Sequence, residues 1–161
     1  MAETHHRYEI KVTWTGNTGT GTASYSSYQR SFEISGAGKA SIAGSSDPAF
    51  RGDSSRWNPE EMLVAALSAC HKLWYLDLCA RAGVTVTAYE DFAEGVMTED
   101  AGGAGKFTAV TLRPRVTISA ASDGMKALAL HQEAHAMCFI ARSVCFPVNT
   151  APSIARDAAP A

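Results

Sequence analysis

Four cysteines, Cys70, Cys79, Cys138 and Cys145, are the residues best suited to nucleophilic or redox chemistry, because a thiolate is both a strong nucleophile and a metal ligand. Cys70 and Cys79 are nine positions apart and Cys138 and Cys145 seven apart. Neither pair makes a Cys-x-x-Cys, so the zinc ribbon and the thioredoxin-type dithiol lose their usual support. Cys70 falls in the middle of an expected helix, on the row Met62, Ala66, Ala69/Cys70, Leu73 that would face a core or a partner. A mid-helix thiol gains little from the helix dipole, which acts at the first turn. To react, Cys70 must borrow positive charge. Its neighbours His71 and Lys72 point about 100° away around the helix, so an arginine carried by a loop is the better source. Cys79 would lie on the opposite helix face, ~13 Å along the axis, out of disulfide reach of Cys70 in the same helix. It reads as a packing residue.

Cys138 sits at the end of a second expected helix, where the negative end of the dipole disfavours a thiolate. That suits a resolving cysteine, which waits as a thiol until a sulfenic acid forms beside it. Cys145 is expected in a last strand ahead of Phe146 and Pro147, packed in the core or held as a reserve resolving thiol. The second helix also carries a rival pattern. His131, His135 and Cys138 stand at i, i+4 and i+7 on one face, with Glu133 close by, and His-x-x-x-His is a common two-ligand spacing for zinc. Cys70 would be a fourth ligand. Against this, helix-face histidines also simply bond to backbone or water.

These residues need elements to position them. Tyr8, Ile10, Val12 and Trp14 alternate with polar residues as in a half-buried strand. Gly16–Gly19 turns the chain, and further strands are expected through Tyr25, over Arg30 to Ile34, and over Ala40 to Ile42. A polar stretch from Gly44 to Asn58 reads as a loop of the length that lines sites. Asn58-Pro59-Glu60-Glu61 is a strong helix start, with a capping side chain, a proline at the first position and acids at the positive pole. That helix would run to Gly83 and be buried on most sides, since Met62 to Ala69 is nearly all apolar. Val84 to Val96 reads as one strand, Glu99 to Gly105 as a glycine-rich turn, and Val110 to Ile118 as one strand, with Pro114 marking an edge or bulge. Ser122 or Asp123 would cap the second helix, Gly124 to Cys138. A strand from Val144 to Thr150 and a loose tail from 151 to 161 complete one α+β domain over 1–161, with its ordered core at about 8–150.

The 161 residues carry 46% hydrophobic and 19% charged side chains with a formal net charge of −2. That is ordinary for a globular domain and gives no pull towards nucleic acid or an anionic membrane. No stretch reads as apolar and long enough to cross a bilayer. The start, Met1-Ala-Glu-Thr-His-His-Arg, has no secretory h-region. A cytoplasmic protein is expected.

The run Asn58-Pro-Glu-Glu-Met-Leu-Val-Ala-Ala-Leu-Ser-Ala-Cys70-His71 resembles the signature of the OsmC/Ohr family, Asn-Pro-Glu followed by an Ala-rich helix and a Cys ten residues after the first Glu. Ala134-His-Ala-Met-Cys138-Phe-Ile-Ala-Arg-Ser143 resembles its second motif, Cys-Pro-[Ile/Val]-Ser. Phe139 stands for the usual Pro and Ala141 for the usual Ser, and His71 and Lys72 follow Cys70 where smaller or apolar residues are commoner. The resemblance is therefore to a divergent branch. It implies antiparallel sheets wrapped around two long central helices in an intertwined homodimer. It implies organic hydroperoxide reduction, in which Cys70 becomes a sulfenic acid, Cys138 resolves it as a Cys70–Cys138 disulfide, and a dithiol, lipoyl-bearing in relatives, restores the thiols. No cofactor is implied. The family's Glu maps onto Glu60 and its Arg onto Arg51, with Arg56 and Arg30 as alternatives. Ten residues of helix put Glu60 ~15 Å from Cys70, so a catalytic Glu60 must come from a partner chain. Two other readings stay open: a metal protein through His131, His135 and Cys138, and a non-catalytic dimer binding a small apolar ligand. Under the peroxidase reading, Met62, Leu73, Trp74 and Met137 are expected to line the site and favour alkyl over hydrogen peroxide.

Overall fold

The computed structural model describes residues 4–158. The chain divides into two compact units, the first ending at Met62 and the second beginning at Leu63.

The first unit is a three-stranded antiparallel meander, β1 (Lys11–Trp14), β2 (Phe32–Ser35) and β3 (Ile42–Gly44). The strand expected through Tyr25 is absent; Asn17 pairs with Tyr28 in a single bridge, and the chain between them turns on itself. The Asn17 side chain explains this, since its Oδ1 accepts from the backbone N–H of both Gly19 (2.9 Å) and Gly21 (3.0 Å), an alternative to ladder bonds. The expected half-burial of the first strand is also not met within the chain. All of β1 is exposed, as are Tyr8 and Ile10 before it. The loop after β3 holds a short 3₁₀ turn, Pro48–Phe50, capped by Asp47, whose side chain accepts from Ala49 N–H at 2.7 Å.

Helix α1 (Pro59–Arg81) begins where the sequence places it. Asn58 Oδ1 accepts from Glu61 N–H (2.7 Å) and Glu61 Oε2 accepts from Asn58 N–H (3.1 Å), a reciprocal capping box. Gly83, at φ 72°, takes the left-handed conformation after its end. Burial differs from expectation. Only Leu67, His71, Tyr75 and Cys79 are buried, a single i, i+4 row, while Ala69 and Leu73 of the expected row are exposed. By length and mean hydropathy (1.2) this helix is also capable of crossing a bilayer, contrary to the sequence reading. The soluble-core alternative accounts for it better, because His71, Lys72 and Asp77 would sit at costly depth in hydrocarbon and the buried row packs on sheets of its own chain.

The second unit has two three-stranded sheets. Val84–Val96 is two strands, β4 (Val86–Asp91) and β5 (Glu94–Glu99), and Val110–Ile118 is likewise divided into β6 (Gly105–Leu112) and β7 (Pro114–Ile118). β8 (Val148–Thr150) and β9 (Ser153–Arg156) follow helix α2 (Gly124–Met137) and a 3₁₀ turn at Ala141–Ser143. The sheets are ordered β4-β7-β9 and β5-β6-β8. β8 and β9 run parallel to their neighbours, so both sheets are mixed rather than antiparallel, and the expected loose tail contains a paired strand. The chain changes sheet at Phe92–Ala93 and again at Arg113. Asp91 fixes both crossings, with Oδ1 accepting from Arg113 N–H (2.7 Å) and Oδ2 from the Ser68 hydroxyl on α1 (2.6 Å).

Two cores result. Leu67 packs with Val110 and Leu112, while Tyr75 and Cys79 pack with Val116, Ile118, Ala127, Leu130 and Ala134. One helix thus serves both sheets, and burying each large apolar side chain stabilises by about 1.5–3 kcal/mol.

Candidate active site

Cys70 lies between Leu67, in one core, and Tyr75, in the other, and is half-exposed. Cys138 caps α2, buried at 1% exposure. The helix stops there because Cys138 turns extended (φ −68°, ψ 110°), and the following 3₁₀ turn brings Ala141 N–H to its sulfur at 3.4 Å. The Cys70 thiol lies near enough to raise the Cys138 pKa. The two cysteines singled out by sequence are therefore neighbours. Burial pushes the Cys138 thiol above its ordinary range, opposed by the Ala141 N–H and reinforced by Cys70, so Cys138 rests as a protonated thiol near neutrality. Trp74, one turn after Cys70, meets Phe139 edge to face with centroids 5.5 Å apart. Phe139, in the place of the family's proline, thereby gains an aromatic partner beside the thiols.

Cys79 is buried in the core, as expected, and burial raises its pKa. Cys145 is not in a strand or core; it is exposed in the bend before β8. β8 begins only at Val148, after Pro147, so no ladder or packing encloses Cys145. All four cysteines are free thiols.

The metal pattern does not assemble. Among the described residues no three His, Cys, Asp or Glu side chains are grouped to hold an ion. His131 Nδ1 is instead engaged with His71 Nε2 at 3.0 Å, while Cys138 lies near Cys70. Both imidazoles are buried, and sequence reading passed over their pairing. Burial pushes His71 down to about 4, with Asp91 opposing and His135 adding, and burial with His71 pushes His131 down to about 3. His71 Nδ1 and His131 Nε2 have no hydrogen-bond partner, a cost of ~1–3 kcal/mol for each such atom. The signal available was the i, i+4 row Leu67, His71, Tyr75, Cys79, with histidine where a packed row calls for an apolar residue.

The three candidate arginines differ in what already holds them. The Arg30 guanidinium lies 4.4 and 4.1 Å from the centroids of Tyr25 and Tyr28 and donates to the carbonyls of both residues at 2.7 Å. Arg56 pairs with Asp53 at 3.6 Å. Arg51 has no ion-pair partner among the described residues, only the Tyr25 ring at 5.7 Å. Its backbone is left-handed at φ 64°, a strained state for a residue with a Cβ. Arg51 N–H donating to Pro48 O (3.1 Å) and Gly52 N–H to Asp47 O (3.0 Å) hold it there. Gly52 is required, because a Cβ would collide with the Ser46 carbonyl. Arg51 lines a polar cleft of about 660 Å³ in the first unit with Thr18, Ser27, Arg30, Ser31 and Asp53. Glu60 is half-exposed in the first turn of α1.

Of the residues expected to line the site, Leu73 and Met137 are exposed, and Leu73 and Trp74 border an open depression of about 300 Å³ with Asp77 and Arg81.

With thiol pair and fold in hand, comparison with known proteins identifies the class. The sequence profile of the OsmC-like protein family matches residues 52–152, more than half of the chain. The chain belongs to that OsmC-like family. An OsmC-like protein of unknown function from Vibrio cholerae is similar at 30% identity and TM-score 0.80, over 92% of this chain and 100% of that one. An organic hydroperoxide resistance protein from Legionella pneumophila shares the fold at 15% identity and TM-score 0.66, over 94% and 98%. Another from Bacillus subtilis does so at 19% and 0.57, over 92% and 98%. Among curated proteins none matches the chain.

Proposed function

We propose that this chain is a thiol-dependent peroxidase that reduces organic hydroperoxides to alcohols. The observation that carries the reading is the proximity of the half-exposed Cys70 to the buried Cys138 thiol, close enough to raise the latter's pKa. Cys70, as thiolate, attacks the terminal peroxide oxygen; the O–O bond breaks, the alcohol leaves with a proton, and Cys70 becomes a sulfenic acid. Cys138 then attacks that sulfur, and water leaves as the disulfide forms. A dithiol, such as a lipoyl group, returns both cysteines to thiols. That Cys138 stays protonated until the first step is done keeps the two roles apart. Hydroperoxide resistance proteins among the structural neighbours agree with this chemistry.

Arg51 is our choice for the cation that favours the Cys70 thiolate and orients peroxide oxygens, because Arg30 and Arg56 are already engaged. Glu60 would act on the Cys70 of a partner, which requires a homodimer. The apolar α1 helix supports one, since its own chain buries only one row of it. A reducing compartment such as the cytoplasm would keep the exposed Cys145 a thiol and supply the dithiol. Exposed Leu73 and Phe139 beside half-buried Trp74 favour alkyl hydroperoxides.

Consumption of cumene hydroperoxide with dihydrolipoate as reductant tests the reading. Wild type should turn over, Cys70→Ser should fall to the uncatalysed rate, and Arg51→Ala should lose on the order of 10²-fold in kcat/KM. Full activity in Cys70→Ser would refute it, and a higher kcat/KM for hydrogen peroxide would remove the alkyl preference.

A further inference from the structure

The peroxidase reading leaves the most unusual feature of the second unit unused. His71 and His131 are 0% and 1% exposed, with ring planes within 5° of parallel and centroids 5.3 Å apart. Tyr75 stacks on His131 at 3.8 Å. The bond between His71 Nε2 and His131 Nδ1, 3.0 Å, needs one donor and one acceptor, which two neutral imidazoles supply. Yet the outer nitrogen of each ring is buried without a partner. Two apolar side chains of the same volume would avoid that desolvation loss. A buried polar pair retained at such a cost specifies geometry better than it stabilises.

The geometry it specifies is that of the thiols. Among the described residues this is the single side-chain hydrogen bond between α1 and α2. His71 follows Cys70 directly, and His131 lies seven residues, two helical turns, before Cys138 on the same face of α2. We propose that the His71–His131 hydrogen bond is a positioning device that fixes the register of the two cysteine-bearing helices and so sets the effective concentration of the Cys138 thiol at Cys70. Both histidines are positioning residues, each hydrogen-bonded to the other rather than to a reacting sulfur among the described residues. The inference rests on Cys70 and Cys138 forming a disulfide, but not on peroxide being the oxidant.

Equilibration with oxidised and reduced glutathione separates the two. The exchange balances as protein dithiol plus oxidised glutathione giving protein disulfide plus two glutathione thiols, and its constant measures the effective concentration. His71→Leu/His131→Leu removes both polar rings together and leaves no orphaned nitrogen. His131→Phe keeps an aromatic ring on Tyr75 and removes Nδ1, in case the double variant does not fold. His71→Gln/His131→Asn returns amide atoms near the positions of Nε2 and Nδ1. The constant should fall about tenfold or more in the Leu pair and in His131→Phe, and return to within about threefold of wild type in the Gln/Asn pair. A wild-type constant in either folded variant lacking the bond overturns the proposal. Wild type that forms no Cys70–Cys138 disulfide with glutathione overturns it together with the peroxidase reading. Wild type that pairs with glutathione but ignores peroxide overturns the peroxidase reading alone, and the variant series then decides the positioning role.

Discussion

The two units of this chain spend their apolar residues differently. In the first, the alternating Tyr8, Ile10, Val12 and Trp14 are 85%, 63%, 57% and 44% exposed. In the second, Leu67, Val110, Leu112 and Ile118 are at most 1% exposed. The same alternation that marks a buried strand elsewhere is here left open by its own chain. The second unit holds a core on either side of Cys70 along the helix; the first presents an arginine on a strained backbone and an exposed apolar strand. A second copy of the chain would resolve the contrast, as the homodimer of the proposed function requires.

The largest expected effect tests this contrast directly. Leu67→Ala should cost about 2–5 kcal/mol in denaturant unfolding, through lost burial and a cavity. Val12→Ala should stay within ~0.5 kcal/mol at concentrations where the protein sediments as a single chain. A Val12 cost above ~1.5 kcal/mol there would contradict the exposure of β1.

The buried histidines give the next effect, of about 3 kcal/mol for a shift from 6.5 to about 4. The folded value lies below the unfolded one, so the unfolded chain binds more protons between these pH values. Stability should therefore fall as pH drops through that window. Asp91, which faces His71, opposes the loss, and His135 adds to it. Urea midpoints across pH 7 to 4 measure this, and the Leu pair should flatten the dependence. Equal slopes in both proteins would assign the acid loss to carboxylates. A smaller effect belongs to the boundary between the units. Asn58→Ala removes one side of the capping box and should cost about 1 kcal/mol, read as a shift in the thermal midpoint.

Local chemistry was legible in the sequence. Asn58 and Asp123 cap the helices expected of them, and the turn before Gly105 joins β5 to β6; the proximity of Cys70 and Cys138 was expected from the family resemblance rather than from local chemistry. What failed depends on partners distant in sequence. Phe92 and Arg113 look like strand interior until two different sheets claim the residues on either side of them. β9 has one half-buried apolar residue, Ile154, and exists because β7 offers it a parallel edge. The α1 helix was misphased because it is apolar nearly all round, so no amphipathic contrast says which row is core. Cys145 followed the misplaced last strand. The histidine pair lay in that same misread row, and a bond between residues 60 positions apart leaves no local trace.

The central claim is that Cys70 attacks peroxide and Cys138 resolves it. Mass spectrometry of the thiols after one equivalent of cumene hydroperoxide, on wild type and on Cys138→Ser, tests it most directly. The account predicts a Cys70–Cys138 disulfide in wild type and a sulfenic acid on Cys70 in the variant. Cys70 remaining a thiol in excess peroxide would contradict it.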